Sequence, residues 1–522
     1  MATFLIGLVI LIGGGLLYGK FCENVFGPDD RETPAFAKQD GVDYVPMKTW
    51  KNSLINLLNI AGTGPILGPV QGILFGPIAF LAIPIGNVIG GSMHDYFSGM
   101  ICTRDGGAQM PEFVKNYTNK AVYILYDIFI CILLLLVGAV FIYTPGDIAA
   151  TQVFGFGGTP QEISTWVIYS VIFVYYLIAT VFPIDKIIGR VYPIFGLILV
   201  FSAIGIFIAI FAKGYPLINV WDNWNTTGVF AADGGFDFGA YFGPSAFSGG
   251  HFIPIFFLTV ACGILSGFHS TQTALVSRTI ESEKAGRMTY YNMMVVEGFI
   301  AMCWAAGTMA MINLGASNGG VTMALSDAGA WTFNVLKDGA PVTIGATSVV
   351  GVICKNALGP VGGVIALVGV IILPITSGDT ALRALRLTLS DSLHIKQENN
   401  KQRIGLAIPV FALVYLILIW AKMDAQGFNT LWRYFAWSNQ MISLFALACI
   451  TAWMFKNGKA KFVWIPLIPA AFYAFATCTF IVNAKIGLGL DWPIAYTIGA
   501  IFTIAYVVVC IINGKNKAKA AA

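Results

Sequence analysis

Apolar stretches recur along this chain from one end to the other, most of them long enough to cross a bilayer. They fall at 3–19, 52–74, 76–101, 121–143, 162–182, 191–212, 252–275, 289–314, 356–380, 404–421, 429–455, 462–484 and 492–513. A helix rises about 1.5 Å per residue, so roughly 20 apolar residues span a hydrocarbon core of about 30 Å. The connections between the stretches leave no polar block large enough for a separate aqueous domain. Charged residues make up 11% of the chain and hydrophobic residues 57%, where a soluble domain carries about 25% charged residues. The expected fold is therefore an all-α polytopic membrane protein with about 13 transmembrane helices. The first stretch lacks a basic leader and a cleavage site and reads as a retained span. Residues 341–354 are apolar but short, and read as a re-entrant or surface piece.

Basic residues orient these spans, because cytoplasmic loops carry the excess of Lys and Arg. The tail holds Lys515, Lys517 and Lys519, which places the C-terminus in the cytoplasm and the N-terminus outside. Alternating from there puts 24 of the 30 Lys and Arg in inner loops. Only Lys213, Lys337, Lys355, Lys422, Arg433 and Lys485 remain outside. The two long outer segments, 214–251 and 315–355, carry Trp221, Trp224 and Trp331 and are expected to fold over the outer face.

Several function classes drop out at this point. The net charge of +4 is scattered and gives no argument for nucleic acid. There is no nucleotide-binding glycine loop, so energy for transport must come from an ion gradient. No nucleophile–base motif, haem-spaced histidine pair or channel filter repeat is present, so neither an enzyme nor a channel is expected. The nine cysteines show no metal spacing and read as packing residues, with Cys22 in a loop. No cofactor or metal is expected.

The second stretch contains the run Ala61, Gly62, Thr63, Gly64, Pro65, Ile66, Leu67, Gly68 and Pro69. Its prolines supply no backbone N–H, so the carbonyls of Ala61 and Pro65 lose their helical donors. A helix interrupted in hydrocarbon must line a cavity or bind something. The seventh stretch has a weaker counterpart, Cys262, Gly263, Ile264, Leu265, Ser266, Gly267, Phe268, His269 and Ser270, whose glycines also suit helix packing.

Spans two and seven are an odd number apart and so cross in opposite directions. Two five-helix units of inverted topology follow, each opening on an interruption, with one helix before and two after. The corresponding divisions are 1–51, 52–213, the loop 214–251, 252–455 and 456–522. In such an arrangement substrate and ion bind at the midplane between half-helices, which nominates Gly62, Thr63, Gly64, Pro65, Ser266, Gly267, His269 and Ser270. The half-helix N-termini would offer N–H groups to an anion.

Ionisable groups within spans are the other candidates. His94 and Asp95 read either as structural caps or as a titratable pair, and His269 either as a core histidine or as a proton site. Asp379 and Arg383 stand four apart and could simply pair. Glu297 and Asp127 read as further buried acids, and Ser438, Asn439 and Gln440 as an interhelical hydrogen-bonding patch. His251 and His394 lie at loop edges.

Several of these runs resemble the carbon starvation protein family of CstA-like transporters. They are Ile60 to Pro69, Gly90 to Asp95, Cys262 to Ser270, Thr376 to Thr380 followed by Arg383, and Leu431 to Met441. The resemblance spans about residues 44–455. It implies a LeuT-like inverted-repeat fold and uptake of peptides or pyruvate across the cytoplasmic membrane during carbon starvation. It implies proton coupling. A proton path would use His94, Asp95 or His269, with Asp379 as a further ion-coupling candidate; a sodium path would use freed carbonyls with Thr376 and Ser377, and a membrane nutrient sensor is the remaining alternative.

Overall fold

The computed structural model describes residues 1–521 except 42, 182–184, 223–250, 326–330, 394, 396–399, 425 and 486. Among the described residues the thirteen long apolar runs are mainly helical. Besides the short helices Pro34–Ala37 and Met110–Tyr117, the helices are α1 (Ala2–Phe26), α2 (Thr49–Ile60), α3 (Gly64–Phe75), α4 (79–104), α5 (Lys120–Val153), α6 (Ile163–Val181) and α7 (Asp185–Ala212). Then come α8 (252–264), α9 (Gly267–Val276), α10 (Glu283–Leu314), α11 (Ala346–Ser392), α12 (Asn400–Met423), α13 (Gly427–Lys456), α14 (Trp464–Asn483) and α15 (Trp492–Ala521).

Nine helices among the described residues are long and apolar enough to cross a membrane, or ten if α2 and α3 count as one bent span. The other runs fall short for visible reasons. Helix α4 has a π-helical segment, Asn87–Gly91, followed by the polar Ser92, His94 and Asp95. Helix α6 offers a shorter apolar length, Ile163–Ala179. The α8–α9 run is broken. Burial sorts centre from edge: the apolar windows of α13 and α10 are 83% and 78% buried, whereas that of α15 is 17% buried and faces the surroundings.

Three features depart from the sequence reading. The segment after α10 adds an antiparallel sheet to the all-α plan, with strands β1 (Thr322–Leu325), β2 (Trp331–Lys337) and β3 (Ala340–Ile344) in sequential order. Asp338 and Gly339, at φ 53° and 79°, form the turn between β2 and β3, as an Asp-Gly pair between strands favours. The apolar piece 341–354 is accordingly not one element; it divides between β3 and the first turns of α11. Finally, Cys22 is not in a loop. Helix α1 runs on to Phe26 and leaves Cys22 0% exposed. In a variant retaining only this cysteine, Cys22 should resist a water-soluble maleimide until the protein is denatured. Ready labelling of the folded protein would place this helix end in solvent.

The 214–251 segment was expected to cover the outer face; most of it lies outside the described residues.

Candidate functional site

Both interruptions are present. Between α2 and α3 the chain leaves helical geometry at Ala61 (φ −80°, ψ 71°) and bends by 51°. Helix α3 restarts at Gly64 with Pro65 in its first turn, where a missing N–H costs nothing. Pro69 does not break it, so the interruption is confined to Ala61–Thr63 and the Pro65 carbonyl stays within a helix. The Thr63 carbonyl accepts from Ile66 and Leu67 at 3.2 and 2.9 Å. Its buried hydroxyl has no hydrogen-bond partner.

The second interruption forms without proline. Leu265 (φ −155°, ψ 131°) and Ser266 (φ −135°, ψ 121°) are extended between α8 and α9. Amide side chains from neighbouring helices satisfy the backbone groups this frees. Asn87 on α4 donates to the Gly263 carbonyl at 3.1 Å, and Gln440 on α13 donates to the Leu265 carbonyl. Asn439 accepts from the Phe268 N–H at 2.7 Å and hydrogen-bonds Ser266. The N-terminus of α9 is thus capped from α13 and does not present that N–H to an anion. Replacing Asn439 by Leu should lower the detergent melting temperature, because a buried N–H left unpaired costs about 1–3 kcal/mol. An unchanged melting temperature would show that the cap carries no weight.

The two interruptions touch. A Cβ added at Gly64 would lie 2.1 Å from the Cys262 Cβ, so only glycine permits this approach. Gly62 meets the Phe141 ring in the same way at 2.8 Å. Gly267 faces the Asn439 carbonyl, 2.2 Å from an added Cβ.

Beside the interruption in α8–α9 lies a row of four ionisable groups. Asp95 on α4 takes His94 Nδ1 on one oxygen at 2.8 Å and His269 Nδ1, from α9, on the other at 3.0 Å. His269 Nε2 then faces Glu297 Oε2 on α10 at 3.5 Å. All four side chains are 0% exposed. Charges removed from water this completely must be paired or neutralised. With each Nδ1–H directed at Asp95, the Nε2 of His269 can hold a proton or receive one from Glu297. His94 Nε2 has no hydrogen-bond partner at the far end. Within the row one proton has two possible seats, the His269 imidazole and the Glu297 carboxyl, which face each other at 3.5 Å. Among the described residues no group of His, Cys, Asp and Glu is placed to hold a metal ion.

The structure brings His94, Asp95 and His269 together and adds Glu297, which the sequence marked as a buried acid without assigning it to the site. Ser266 and Gly267 sit in the capped break, and the Ser270 hydroxyl donates to the Gly267 carbonyl at 2.6 Å. The α11 candidates stand apart. Asp379 lies 3.8 Å from Arg383, the simple pair its spacing allowed. Thr376 donates to its own helix at Leu373, and the Ser377 hydroxyl is buried without a hydrogen-bond partner. Phe141 lies between this part of α11 and the first interruption, since its Cβ is 3.1 Å from a Cβ added at Gly378. Asp127 is half-buried and not a deep acid. His251 hydrogen-bonds Tyr496 at 2.7 Å and stacks on Trp492, a tie to α15. His394 lies outside the described residues.

The profile of the family described as carbon starvation protein CstA matches residues 1–152 and 158–480. The chain belongs to this family. The match extends the stretch of resemblance at both ends, taking in α1 and most of α14. An uncharacterised membrane protein of Haemophilus influenzae is 38% identical over 58% of this chain and 89% of its own length. The peptide transporter CstA of Escherichia coli is 25% identical over 90% of this chain and 80% of its own. This is a family of transporters, and the chain is a multi-pass membrane protein of that kind and not an enzyme.

Solved structures show the fold. A manganese transporter variant from Eremococcus coleocola superposes with TM-score 0.58 at 10% identity, over 91% of this chain and 95% of that one. A Na+-coupled sialic acid symporter in its substrate-bound outward-open state gives 0.50 at 14% identity, over 99% and 97%. Both likenesses show a LeuT-like fold for this family member.

Proposed function

We propose that this protein is a proton-coupled secondary transporter that imports short peptides across the cytoplasmic membrane, with the His94–Asp95–His269–Glu297 row as its proton site. The observation that carries the reading is His269. It stands in the first turn of the half-helix that opens at the second interruption, and it also bonds to the row through Asp95. Any movement of that half-helix to admit substrate pulls on the Asp95–His269 contact, and a change of protonation there alters the contact in return. Substrate and proton are thus linked through one side chain. The substrate class is taken from the peptide transporters among the relatives; pyruvate, with a single carboxylate, is the smaller alternative.

The reading keeps thirteen crossings in the order one, five, five and two, with spans two to six and seven to eleven as inverted repeats and the N-terminus outside. The candidate substrate site is then Gly62 to Pro65 together with Ser266, Gly267 and Ser270. These residues are buried, so substrate reaches them only when the half-helices move apart. One observation favours a sodium reading instead: the buried hydroxyls of Thr63 and Ser377 both have no hydrogen-bond partner, and such oxygens suit a hard cation.

Reconstituted vesicles decide between these. An inward proton gradient without sodium should drive accumulation of a labelled dipeptide, and a sodium gradient at equal pH should not. Accumulation that follows sodium and ignores pH would overturn proton coupling. Accumulation of pyruvate alone would overturn the peptide assignment.

A further inference from the structure

A second buried ion pair lies away from the row, near the face that the basic-residue pattern assigns to the outside. Lys422, at the end of α12, places its ammonium 2.8 Å from Asp147 Oδ1 near the end of α5. Thr347, in the first turn of α11, donates to the other oxygen of Asp147 at 2.6 Å. The ammonium also stands 5.0 and 5.6 Å from the ring centres of Tyr143 and Tyr169. Asp147 is 8% exposed and Lys422 7%.

Burying such a pair brings little net stability compared with apolar packing, so a stability role alone accounts poorly for it. The pair is also not saturated. The hydroxyl of Thr144, one turn before Asp147, is buried without a hydrogen-bond partner. Beneath it a plug of ring-to-ring contacts runs toward the first interruption. Tyr143 stacks on Phe428 at 4.6 Å, Phe428 meets Trp432, and Trp432 meets Phe435 at 5.4 Å. Phe435 meets Phe141 at 6.4 Å, and Phe141 rests on Gly62 at the first interruption. Phe141 and Asp147 are six residues apart on one helix, or about 9 Å.

We propose that Asp147 and Lys422 form an outer reception site for the zwitterionic ends of a peptide, directly above this aromatic plug. The inference rests on the peptide reading of the proposed function. An incoming α-ammonium replaces Lys422 on Asp147, and the incoming carboxylate takes the freed Lys422 ammonium. Each buried charge exchanges one partner for another of the same sign, so neither is left unpaired. The exchange loosens α5 from α12 beside the Tyr143–Phe428 stack, the first contact of the plug.

The test uses the full-length protein in proteoliposomes and three dipeptides: one with free ends, one N-acetylated and one C-amidated. In the wild type, blocking either end should raise the half-inhibitory concentration about tenfold or more, the loss of one charge-assisted hydrogen bond. Lys422→Met should raise KM for the free dipeptide and abolish discrimination against the amidated one. Asp147→Asn should do the same for the acetylated one. A pair that merely ties helices together predicts equal losses with all three peptides, and unchanged selectivity in both variants overturns the proposal. If neither variant folds, the shift of the wild-type melting temperature carries the test, and blocked peptides that stabilise as well as the free one overturn it. Failure of the wild type to take up any peptide removes the peptide reading and this site with it. Normal uptake with unaltered selectivity removes this site alone.

Discussion

Asp95→Asn should reduce proton-driven uptake by about two to three and a half orders of magnitude while leaving the protein inserted and able to exchange labelled for unlabelled substrate. Asp95 holds two imidazoles at once, with one oxygen for His94 and the other for His269. An asparagine keeps the shape but offers one acceptor and no charge, so a protonated imidazole loses its counter-ion. Removing one partner from a buried charged group costs about 3–5 kcal/mol, and about 1.4 kcal/mol is a factor of ten. That penalty falls on the protonated state alone, which is why coupling should fail before exchange does. Uptake at equal pH on both sides, measured beside gradient-driven uptake, separates the two. Equal loss in both assays would mean that Asp95 supports the fold and not the proton. Glu297→Gln should weaken gradient-driven uptake in the same direction, because it removes the carboxyl facing His269 Nε2.

Gly64→Ala should abolish transport, and Cys262→Gly should restore it. The added methyl would stand 2.1 and 2.2 Å from the Cys262 Cβ and Sγ, and something must shift. Overpacking of this kind costs about 1–3 kcal/mol, and here the strain falls where the two interrupted helices cross. With Cys262 reduced to glycine the nearest remaining atom is its Cα at 3.6 Å, an ordinary contact. A single variant that fails and a pair that works would tie function to the approach of α3 to α8. Normal uptake in Gly64→Ala would detach the interruptions from transport.

Local chemistry made some of this legible in the sequence. The first interruption is written in Pro65 and its neighbouring glycines, because proline acts on its own helix. The pair of Asp379 and Arg383 follows from spacing on one helix. The Asp338-Gly339 turn was equally local, yet the surrounding strands are short and sit in a segment judged by its aromatics. The second interruption has no proline and stood out only through its offset from the first. Its cause is tertiary: Asn87, Asn439 and Gln440 arrive from α4 and α13 to replace the helical bonds. The row of four was hidden for the same reason. Its members come from α4, α9 and α10, and intramembrane position alone marked each as a candidate without naming its partner. Cys22 was misplaced because Lys20 and Glu23 look like a loop. They pair across one turn at 2.8 Å and let α1 continue.

The most direct measurement follows the proton itself. Sodium-free proteoliposomes carrying a pH-sensitive dye in the lumen are given a dipeptide outside. Lumenal pH should fall as peptide enters through the wild type and stay level with Asp95→Asn. Peptide that accumulates in the wild type while lumenal pH stays level would contradict proton coupling through this row.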